Sequence, residues 1–504
     1  MLVKTLAESL PQRAYTATQV LENEAEISLS QQIALVALME RAGHACFRFM
    51  HENYPHVSKI FVLCGKGNNG GDGFVIARLA QEMGIHATVY LTTDKDSLVA
   101  ESKAAFDLLL NTNATIIFQS ELQLTTRFLQ ENDFDLVVDA LFGIGFKGKL
   151  PPHYIDIIHA VNAYQATVIS VDIPSGVDAT TGYVATTAMI ADVTVTLIVC
   201  KQGLFTGMAA QYVGQLYLAD LEIGPQFQQA VDSSVEIQGQ NNIPEKPQRH
   251  ASSHKGDIGL LLSVGGNKGM PGAIRLSSES ALRSGAALVA VCCHQENYSI
   301  VLNGRPELML APDDSDQLIK SQFYQKAKVL LCGPGLGKNT WSVALFNQVM
   351  ASKKNCVIDA DALHLLAKNF QYKDDWVLTP HPGEAAALLQ CTVADIEKDR
   401  FKAVRNISQQ YGGICILKGA GSLISDGKTV WINTSGNSGM ATGGMGDVLS
   451  GIISALIMQS LTPVDAARLA VFIHGRSADI IATKQGKIGL LASDLFPEIQ
   501  LLIN

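Results

Sequence analysis

The run Gly65-Lys66-Gly67-Asn68-Asn69-Gly70-Gly71-Asp72-Gly73 follows an apolar stretch and precedes a helical one. Chain reversal at a strand's carboxyl end needs glycine, and the helix N-terminus that follows presents free N–H groups to an anion such as a pyrophosphate. The run satisfies G-x-G-x-x-G, with Asp94 near the place of a ribose-binding acid. That pattern alone is also ordinary turn chemistry; Asn68, Asn69 and Asp72 add the information. Two further strand ends carry acids, Val137-Val138-Asp139-Ala140-Leu141-Phe142-Gly143-Ile144-Gly145 and Val171-Asp172-Ile173-Pro174-Ser175-Gly176-Val177-Asp178. In a parallel sheet all strand carboxyl ends open onto one edge, so Asn69, Asp139, Asp172 and Ser175 are expected to converge there. Oxygen ligands of this kind suit a hard cation, and a carboxylate beside them can accept a proton. A single Asp in such a place also caps the helix after it; three glycine-flanked strand ends together favour a site.

A second constellation lies in Asn437-Ser438-Gly439-Met440-Ala441-Thr442-Gly443-Gly444-Met445-Gly446-Asp447-Val448-Leu449-Ser450-Gly451, leading into an apolar helix. Glycines let backbone wrap an oxyanion, the helix N-terminus stabilises charge on a transferring phosphoryl group, and Asp447 is placed to take a hydroxyl proton. The plainer reading, an Asp interacting with the helix dipole, leaves Gly443, Gly444 and Gly446 without purpose. Lys418-Gly419-Ala420-Gly421-Ser422 suits adenosine phosphates, and His381-Pro382-Gly383-Glu384 lies on the same edge. Gly333-Pro334-Gly335-Leu336-Gly337-Lys338 resembles a phosphate loop, but Asn339 stands in place of Ser or Thr and Cys332 in place of the first glycine, which excludes a Walker-type site. Asp359 and Asp361 fit metal-facing or capping roles equally, and His381 alone reads more readily as a hydrogen-bonded loop residue than as a catalyst.

These loops need alternating strands and helices to hold them. Apolar spacing predicts two opening helices between Tyr15 and Met50, then strands over 59–64, 87–91, 136–139 and 167–172, with a helix over 74–83. Residues 224–257, rich in Gln and Asn with Pro244 and Pro247, read as a linker. A second series follows, with strands over 258–264, 287–291, 329–332, 356–358, 376–378 and 414–417. The fold class is therefore α/β: two doubly wound, mostly parallel sheets in unlike domains, 1–225 and 226–504.

The bulk properties agree. The 504 residues are 47% hydrophobic and 17% charged with 43 glycines, which describes packed globules. A net charge of -9 argues against a nucleic-acid footprint, which needs clustered Lys and Arg, and favours metabolites. Glu8 interrupts what would be a signal peptide's apolar core, and no apolar run spans a bilayer, so the cytoplasm is the expected compartment with no membrane partner. The nine cysteines show no C-x-x-C spacing, so neither disulfide framework nor zinc site is predicted; Cys292 and Cys293 are expected in the core.

Over about residues 10–225 the motifs Leu38-Met39-Glu40-Arg41-Ala42-Gly43, Asn68-Asn69-Gly70-Gly71-Asp72-Gly73, Asp139-Ala140-Leu141-Phe142-Gly143 and Asp172-Ile173-Pro174-Ser175-Gly176 together resemble the N-terminal domain of the NAD(P)H-hydrate repair enzymes. That family interconverts the R and S forms of NADHX and NADPHX. The resemblance implies potassium ligands at Asn69, Asp139 and Ser175, and Asp172 beside the epimerised carbon. It implies dinucleotide contacts at Asn68, Asn69, Gly70, Gly71, Asp72, Gly143, Ile144, Gly145, Phe146, Lys147, Gly148 and Lys149, with Tyr154 a further candidate. The same fold serves as a non-catalytic module in RNA turnover; the presence of Asn69, Asp139 and Asp172 speaks for catalysis.

Residues 245–500 resemble the ribokinase-like superfamily, and within it the NAD(P)H-hydrate dehydratases. The matching motifs are His254-Lys255-Gly256-Asp257, Gly265-Gly266-Asn267, Met270-Pro271-Gly272-Ala273, Ser284-Gly285-Ala286, Gly333–Gly337, Thr379–Glu384 and Gly443–Asp447. The resemblance implies contacts to the hydrated nucleotide at Ala273, Gly335, His381 and Asp447, and an adenine-nucleotide site at Lys418, Gly419, Ala420, Gly421, Ser422 and Gly446. It further implies ADP with Mg2+ as phosphoryl donor, AMP and phosphate as products, and a homo-oligomer of unspecified size. Two other readings use the same motifs: an ATP-dependent kinase of a small alcohol in the second half, and a binding or assembly module in the first.

Overall fold

The run Lys59–Cys64 is buried from its second residue onward, as a continuous apolar stretch without alternation requires when helices cover both faces of a parallel sheet. The computed structural model describes residues 3–5 and 13–504, which form two compact units, Met1–Val235 and Glu236–Asn504. Of the opening segment read above for signal character, only Val3–Thr5 lies within the described residues.

In the first unit β1 (Val3–Thr5), β2 (Lys59–Cys64), β3 (His86–Leu91), β4 (Thr115–Phe118), β5 (Leu136–Ala140), β6 (Thr167–Val171), β7 (Val193–Leu197) and β8 (Gln215–Ala219) form one sheet. Its order is β1-β8-β7-β6-β5-β2-β3-β4. Every described pairing is parallel except β1 with β8. From β2 the chain winds outward through β3 and β4, then returns to the other side of β2 at β5. The loops after β2 and β5 consequently diverge, opening the crevice in which doubly wound sheets bind ligands.

The second unit repeats this plan with β9 (Val235–Gln238), β10 (Leu260–Val264), β11 (Leu288–Cys292), β12 (Leu308–Leu310), β13 (Ala327–Cys332), β14 (Asn355–Ile358), β15 (Trp376–Leu378), β16 (Ile414–Leu417), β17 (Leu423–Ser425) and β18 (Val430–Asn433). The order is β12-β11-β10-β13-β14-β15-β16-β17-β18-β9, parallel from β12 to β16 and antiparallel through β17 and β18. Its switch point falls between β10 and β13. The helix Met445–Met458 is buried almost all round, from Val448 to Met458, which is the pattern of a central helix rather than a surface one. Ser280 Oγ donates to Val448 O at 2.6 Å and helps fix that helix's start.

The expected α/β class is therefore the observed one, with corrections in detail. Residues 224–257 are not simply a linker: they contain the helix Gly224–Ala230 and β9. Phe227 is fully buried against Tyr15, ring centroids 5.2 Å apart, so residues 226–235 lie with the first unit and not the second. A seven-residue helix needs only one such anchor, which glutamine-rich composition conceals. The helix expected from Phe74 begins at Asn68, because the glycine run itself winds the first turn. All nine cysteines are free thiols, with Cys292 and Cys293 in the core. Among the described residues no helix is long and apolar enough to cross a membrane.

The two switch points share one close approach. A Cβ on Gly65 would lie 2.1 Å from Leu141 O, and one on Gly265 would lie 2.1 Å from Pro334 O, so only glycine lets the second loop cross the first. Gly65→Ala or Gly265→Ala should each destabilise its unit by about 2–3 kcal/mol through overpacking. Gly145→Ala, with nothing within 4 Å, should change stability by less than about 0.5 kcal/mol; thermal unfolding of the three variants checks both.

Candidate active sites

The first crevice gathers the residues of β2, β5 and β6 that the strand ends predicted. Asp139, next to last in β5 and fully buried, accepts from Ser175 Oγ at 2.6 Å, Ser175 N–H at 2.8 Å and Ser170 Oγ at 2.8 Å. Burial pushes its carboxyl above the usual range, although the bonds from Ser175 and Ser170 pull the other way. Phe142 N–H donates to Ser175 Oγ at 3.0 Å. Gly143 lies against Asn69, so that a Cβ there would be 3.2 Å from Asn69 Oδ1. Asn69 Nδ2 is buried without a hydrogen-bond partner. Asn69, Asp139 and Ser175 thus stand together as an all-oxygen donor set with one carboxylate.

Asp172 follows β6 with φ at 66°, in the left-handed region that a residue with a side chain occupies only when its surroundings compel it. Its Oδ1 accepts from Leu197 N–H at 3.0 Å, Thr196 Oγ1 at 3.2 Å and the Lys201 ammonium. Asp72 and Glu24 lie close enough to feel its charge. Burial pushes the Asp72 carboxyl well above its ordinary range, with Asp172 and Glu24 adding and Lys201 opposing. Glu24 is raised to about 7 by burial first and Asp172 second. Sequence reasoning missed Glu24 and Lys201. Glu24 sits in an amphipathic helix with no motif, whereas Lys201 had a signal: a lone charge ending the apolar run Leu197-Ile198-Val199-Cys200.

Other predicted positions take varied places. Asn68 opens the helix, and Gly70 and Gly71 stand in its first turn against Gly65 O and Met39. Ile144 is buried, Phe146 stacks at 5.2 Å on Phe142, and Gly145, Lys147, Gly148 and Lys149 are exposed. Tyr154 packs on Phe142 at 4.6 Å with its hydroxyl 3.3 Å from Thr92 Oγ1. Asp94 is exposed beside a short 3-10 turn, and Asp178 Oδ1 caps the turn at Thr180 and Thr181.

In the second unit Lys418, directly after β16, reaches Asp359 Oδ1 at 3.0 Å and Glu384 Oε2 at 3.7 Å. Burial draws the ammonium down, but Asp359 and Glu384 outweigh it and the net shift is upward. Gly446 adjoins this group: a Cβ on it would lie 3.1 Å from Lys418 Nζ. Asp447 follows in the first turn of its helix, its carboxyl raised to about 7 by burial and by Asp359, with Lys418 opposing. Asp359 is 1% exposed and its Oδ2 has no partner. Asp361 instead accepts from Gly337 N–H at 2.9 Å, anchoring the loop after β13. The two acids left open by sequence therefore separate, Asp359 at the lysine and Asp361 in loop structure.

His381 caps its helix, accepting through Nδ1 from Gly383 N–H at 2.9 Å, while Glu384 Oε2 returns to His381 N–H at 2.7 Å. Burial lowers its imidazole pKa, with Glu384 opposing. Gly335 meets the Met270 and Ala273 backbone turn, a Cβ there falling 2.8 Å from Met270 O and 3.4 Å from Ala273 Cβ. Ser422 Oγ closes the loop after Lys418 by donating to Gly419 O at 3.1 Å, with Ala420 and Gly421 between them. Ala273 and Gly335 form one group, and Lys418, Gly446 and Asp447 with Glu384 another. Among the described residues no set of three His, Cys, Asp or Glu side chains is arranged to hold a metal ion.

Residues 35–203 match the family described as YjeF-related protein N-terminus, and residues 261–501 that described as NAD(P)H-hydrate dehydratase. The chain is 40% identical to the bifunctional NAD(P)H-hydrate repair enzyme Nnr of Coxiella burnetii over 97% of its own length and 99% of that protein's. It is also 40% identical to the enzyme of the same name from Escherichia coli, over 98% and 95% of the two chains. Among solved structures, a ribokinase-like superfamily protein from Enterococcus faecalis is 26% identical with a TM-score of 0.50, covering 54% of this chain and 96% of that one. Two unlike α/β units, each with its own buried acidic crevice and aligned end to end with these relatives, place the chain in the family of bifunctional NAD(P)H-hydrate repair enzymes.

Proposed function

We propose that the first unit interconverts the R and S hydrates of NADH and NADPH, and that the second dehydrates the S form with ADP, releasing AMP and phosphate. The observation that carries it is the pairing, in each crevice, of a candidate proton acceptor with a lysine: Asp172 with Lys201, and Asp447 beside Lys418. Hydration leaves C6 of the nicotinamide ring bearing both a hydroxyl and the ring nitrogen. Inversion at C6 requires one of those bonds to break and re-form on the other face: breaking C6–N takes the hydroxyl proton as the ring opens and returns it on closure, and breaking C6–O delivers a proton to the departing hydroxyl and takes one back when water re-adds, so either route needs a proton-transfer group. Asp172 takes that role, with the nucleotide held along the glycine turn and the 143–149 loop.

Asn69, Asp139 and Ser175 suit potassium in that Asn69 Oδ1, Ser175 Oγ and the Asp139 carboxylate are oxygens with one formal charge, whereas the unpartnered Asn69 Nδ2 is a donor and calls for an acceptor such as a nucleotide oxygen. The ion's chemistry there is electrostatic, offsetting nucleotide phosphate charge. The chain itself positions the dinucleotide and handles the proton.

In the second unit hydroxide is a poor leaving group, so the C6 hydroxyl is first phosphorylated. Asp447 removes the hydroxyl proton, the oxygen attacks the β-phosphorus of ADP, and the bond to AMP breaks. The C6–O bond then breaks with phosphate leaving, and loss of a C5 proton restores the C5–C6 double bond. Mg2+ bound with the diphosphate would neutralise its oxygens, and Lys418 is the cation that the chain itself sets beside Asp447. The glycine turn before Asp447 offers N–H groups to the moving phosphoryl. Ala273, Gly335 and His381 are assigned to the hydrated ring, and Gly419 to Ser422 to the adenosine. A cytoplasmic homo-oligomer belongs to this reading through family resemblance alone.

Incubation of mixed R and S hydrates with ADP or ATP should restore the absorbance of the reduced nicotinamide completely, and accumulation of a phosphorylated alcohol instead would favour the kinase reading. Asp447→Asn should slow dehydration by about 10²–10⁴-fold, the range for losing a general base, without unfolding the unit; near-normal turnover refutes the role. Asp172→Ala should stop R-to-S conversion while dehydration of pure S hydrate continues. Because Asp447 must be ionised and its carboxyl is raised to about 7, kcat/KM for dehydration should fall as pH drops through that value. Asp359→Asn removes a charge that raises it, so the acid limb should move to lower pH.

A further inference from the structure

The three hydrogen bonds to the Asp172 carboxylate all fall on Oδ1, and among the described residues none reaches Oδ2. One oxygen is pinned while the other is left to the crevice. The pin is built around a buried cation: Lys201 is 1% exposed, and its ammonium meets Asp172 Oδ1, Leu197 O at 2.6 Å and Thr196 Oγ1 at 3.2 Å. An ammonium has three hydrogens, and all three have acceptors on the chain, so none is left for a substrate. Its backbone is clamped too. Tyr15 N–H donates to Cys200 O at 2.9 Å and Gln202 N–H donates to Tyr15 O at 2.9 Å, one bond on each side of Lys201.

Two facts make this more than a buried ion pair. Asp172 holds a left-handed backbone at φ 66°, a strained conformation that persists only where neighbours over-determine it. Its neighbours in space include two further carboxyls, Asp72 on the helix Asn68–Glu82 and Glu24 on the helix Ala17–Ser30. The Lys201 ammonium is the cation that faces all three, opposing the upward shift of both Asp72 and Glu24. We infer that Lys201 is a positioning residue for epimerisation: it acts through Asp172, pinning that carboxylate by Oδ1 so that Oδ2 is left for the reacting carbon, and does not itself touch substrate. The inference rests on the reading of the first unit as an epimerase. It excludes the other natural use of a lysine near an anionic nucleotide, a direct phosphate contact, because Nζ is saturated by Asp172, Thr196 and Leu197.

The test is steady-state epimerisation of the R hydrate by the full-length Lys201→Met variant, with dehydration of pure S hydrate by the second unit as the control for intact protein. The expected result is a fall in kcat of at least about 100-fold, in the range for impairing one acid–base group, with KM within about twofold. The acid limb should rise, since Asp72 and Glu24 would both lose the cation that opposes their upward shift. A raised KM with kcat retained would make Lys201 a phosphate contact and overturn the inference, as would kcat within about threefold of wild type. Should Lys201→Met fail to give a cooperative thermal transition for the first unit, Lys201→Gln keeps two donors and removes the charge. It should lower kcat while shifting the acid limb upward, and an unmoved limb overturns the inference. A wild-type chain that leaves the R hydrate unchanged defeats the epimerase reading itself, whereas an active wild type matched by its Lys201→Met variant defeats only the role of Lys201.

Discussion

Each unit sets one lysine ammonium, fully buried in the first and half-buried in the second, among more carboxylates than it can neutralise. In the first, Lys201 meets Asp172 with Asp72 and Glu24 nearby; in the second, Lys418 meets Asp359 with Glu384 and Asp447 nearby. A buried cation requires a partner, because desolvation of an isolated charge far exceeds what a small site can compensate. The first acid supplies that partner. The remaining acids then sit in low dielectric beside an existing negative charge and hold their protons more tightly than in water, Glu24 and Asp447 both to about 7. A carboxyl poised there is matched to proton transfer at neutral pH. The two units differ in which acid is the proposed proton acceptor: the lysine's own partner, Asp172, in the first, and a neighbour of the pair, Asp447, in the second.

Both arrangements depend on the sheets. In both units the lysine and its direct acid partner follow strand carboxyl ends, Asp172 after β6 and Lys201 after β7, Asp359 after β14 and Lys418 after β16, while Glu24, Asp72, Glu384 and Asp447 stand on helices; at each switch point a carbonyl from the second loop lies over a glycine of the first. Leu141 O over Gly65 and Pro334 O over Gly265 close the floor of the crevice. The same approach brings Asn69 beside Gly143 in the first unit, and Gly266 and Asn267 N–H groups to Pro334 O and Gly335 O in the second, at 2.9 and 2.7 Å. The helix starting at Asn68 is short of side chains in its first turn because a Cβ on Gly70 would meet Gly65 O and one on Gly71 would meet Met39 and Ser102.

Much of this was legible. Continuous apolar runs ending in glycine and acid marked β2, β5, β6, β10 and β13 as buried parallel strands, and the alternation with helices predicted doubly wound sheets. The strands β4, β7, β8, β12, β17 and β18 escaped, and length is not the reason: β15 and β16, of three and four residues, were legible, whereas β7, five buried residues long, was not. Residues 224–257 were misread because a helix of one apolar anchor, Phe227, looks like linker when glutamines surround it. Asp359 and Asp361, two residues apart after the same strand, could not be told apart from spacing: one side chain turns to Lys418, the other to Gly337 N–H.

Residue order by itself determined which groups would stand at strand ends, because strand periodicity and glycine turns are local properties of the chain. Asn69, Asp139, Asp172, Ser175 and Asp447 are visible in that way. What only the tertiary structure decided is which charges share a burial site. Glu24 and Lys201 come from segments 177 residues apart, as read from their numbering, and nothing in either segment names the other. A buried charge is defined by its partners and by the water excluded around it, and both are set by packing between elements that the linear sequence leaves unordered.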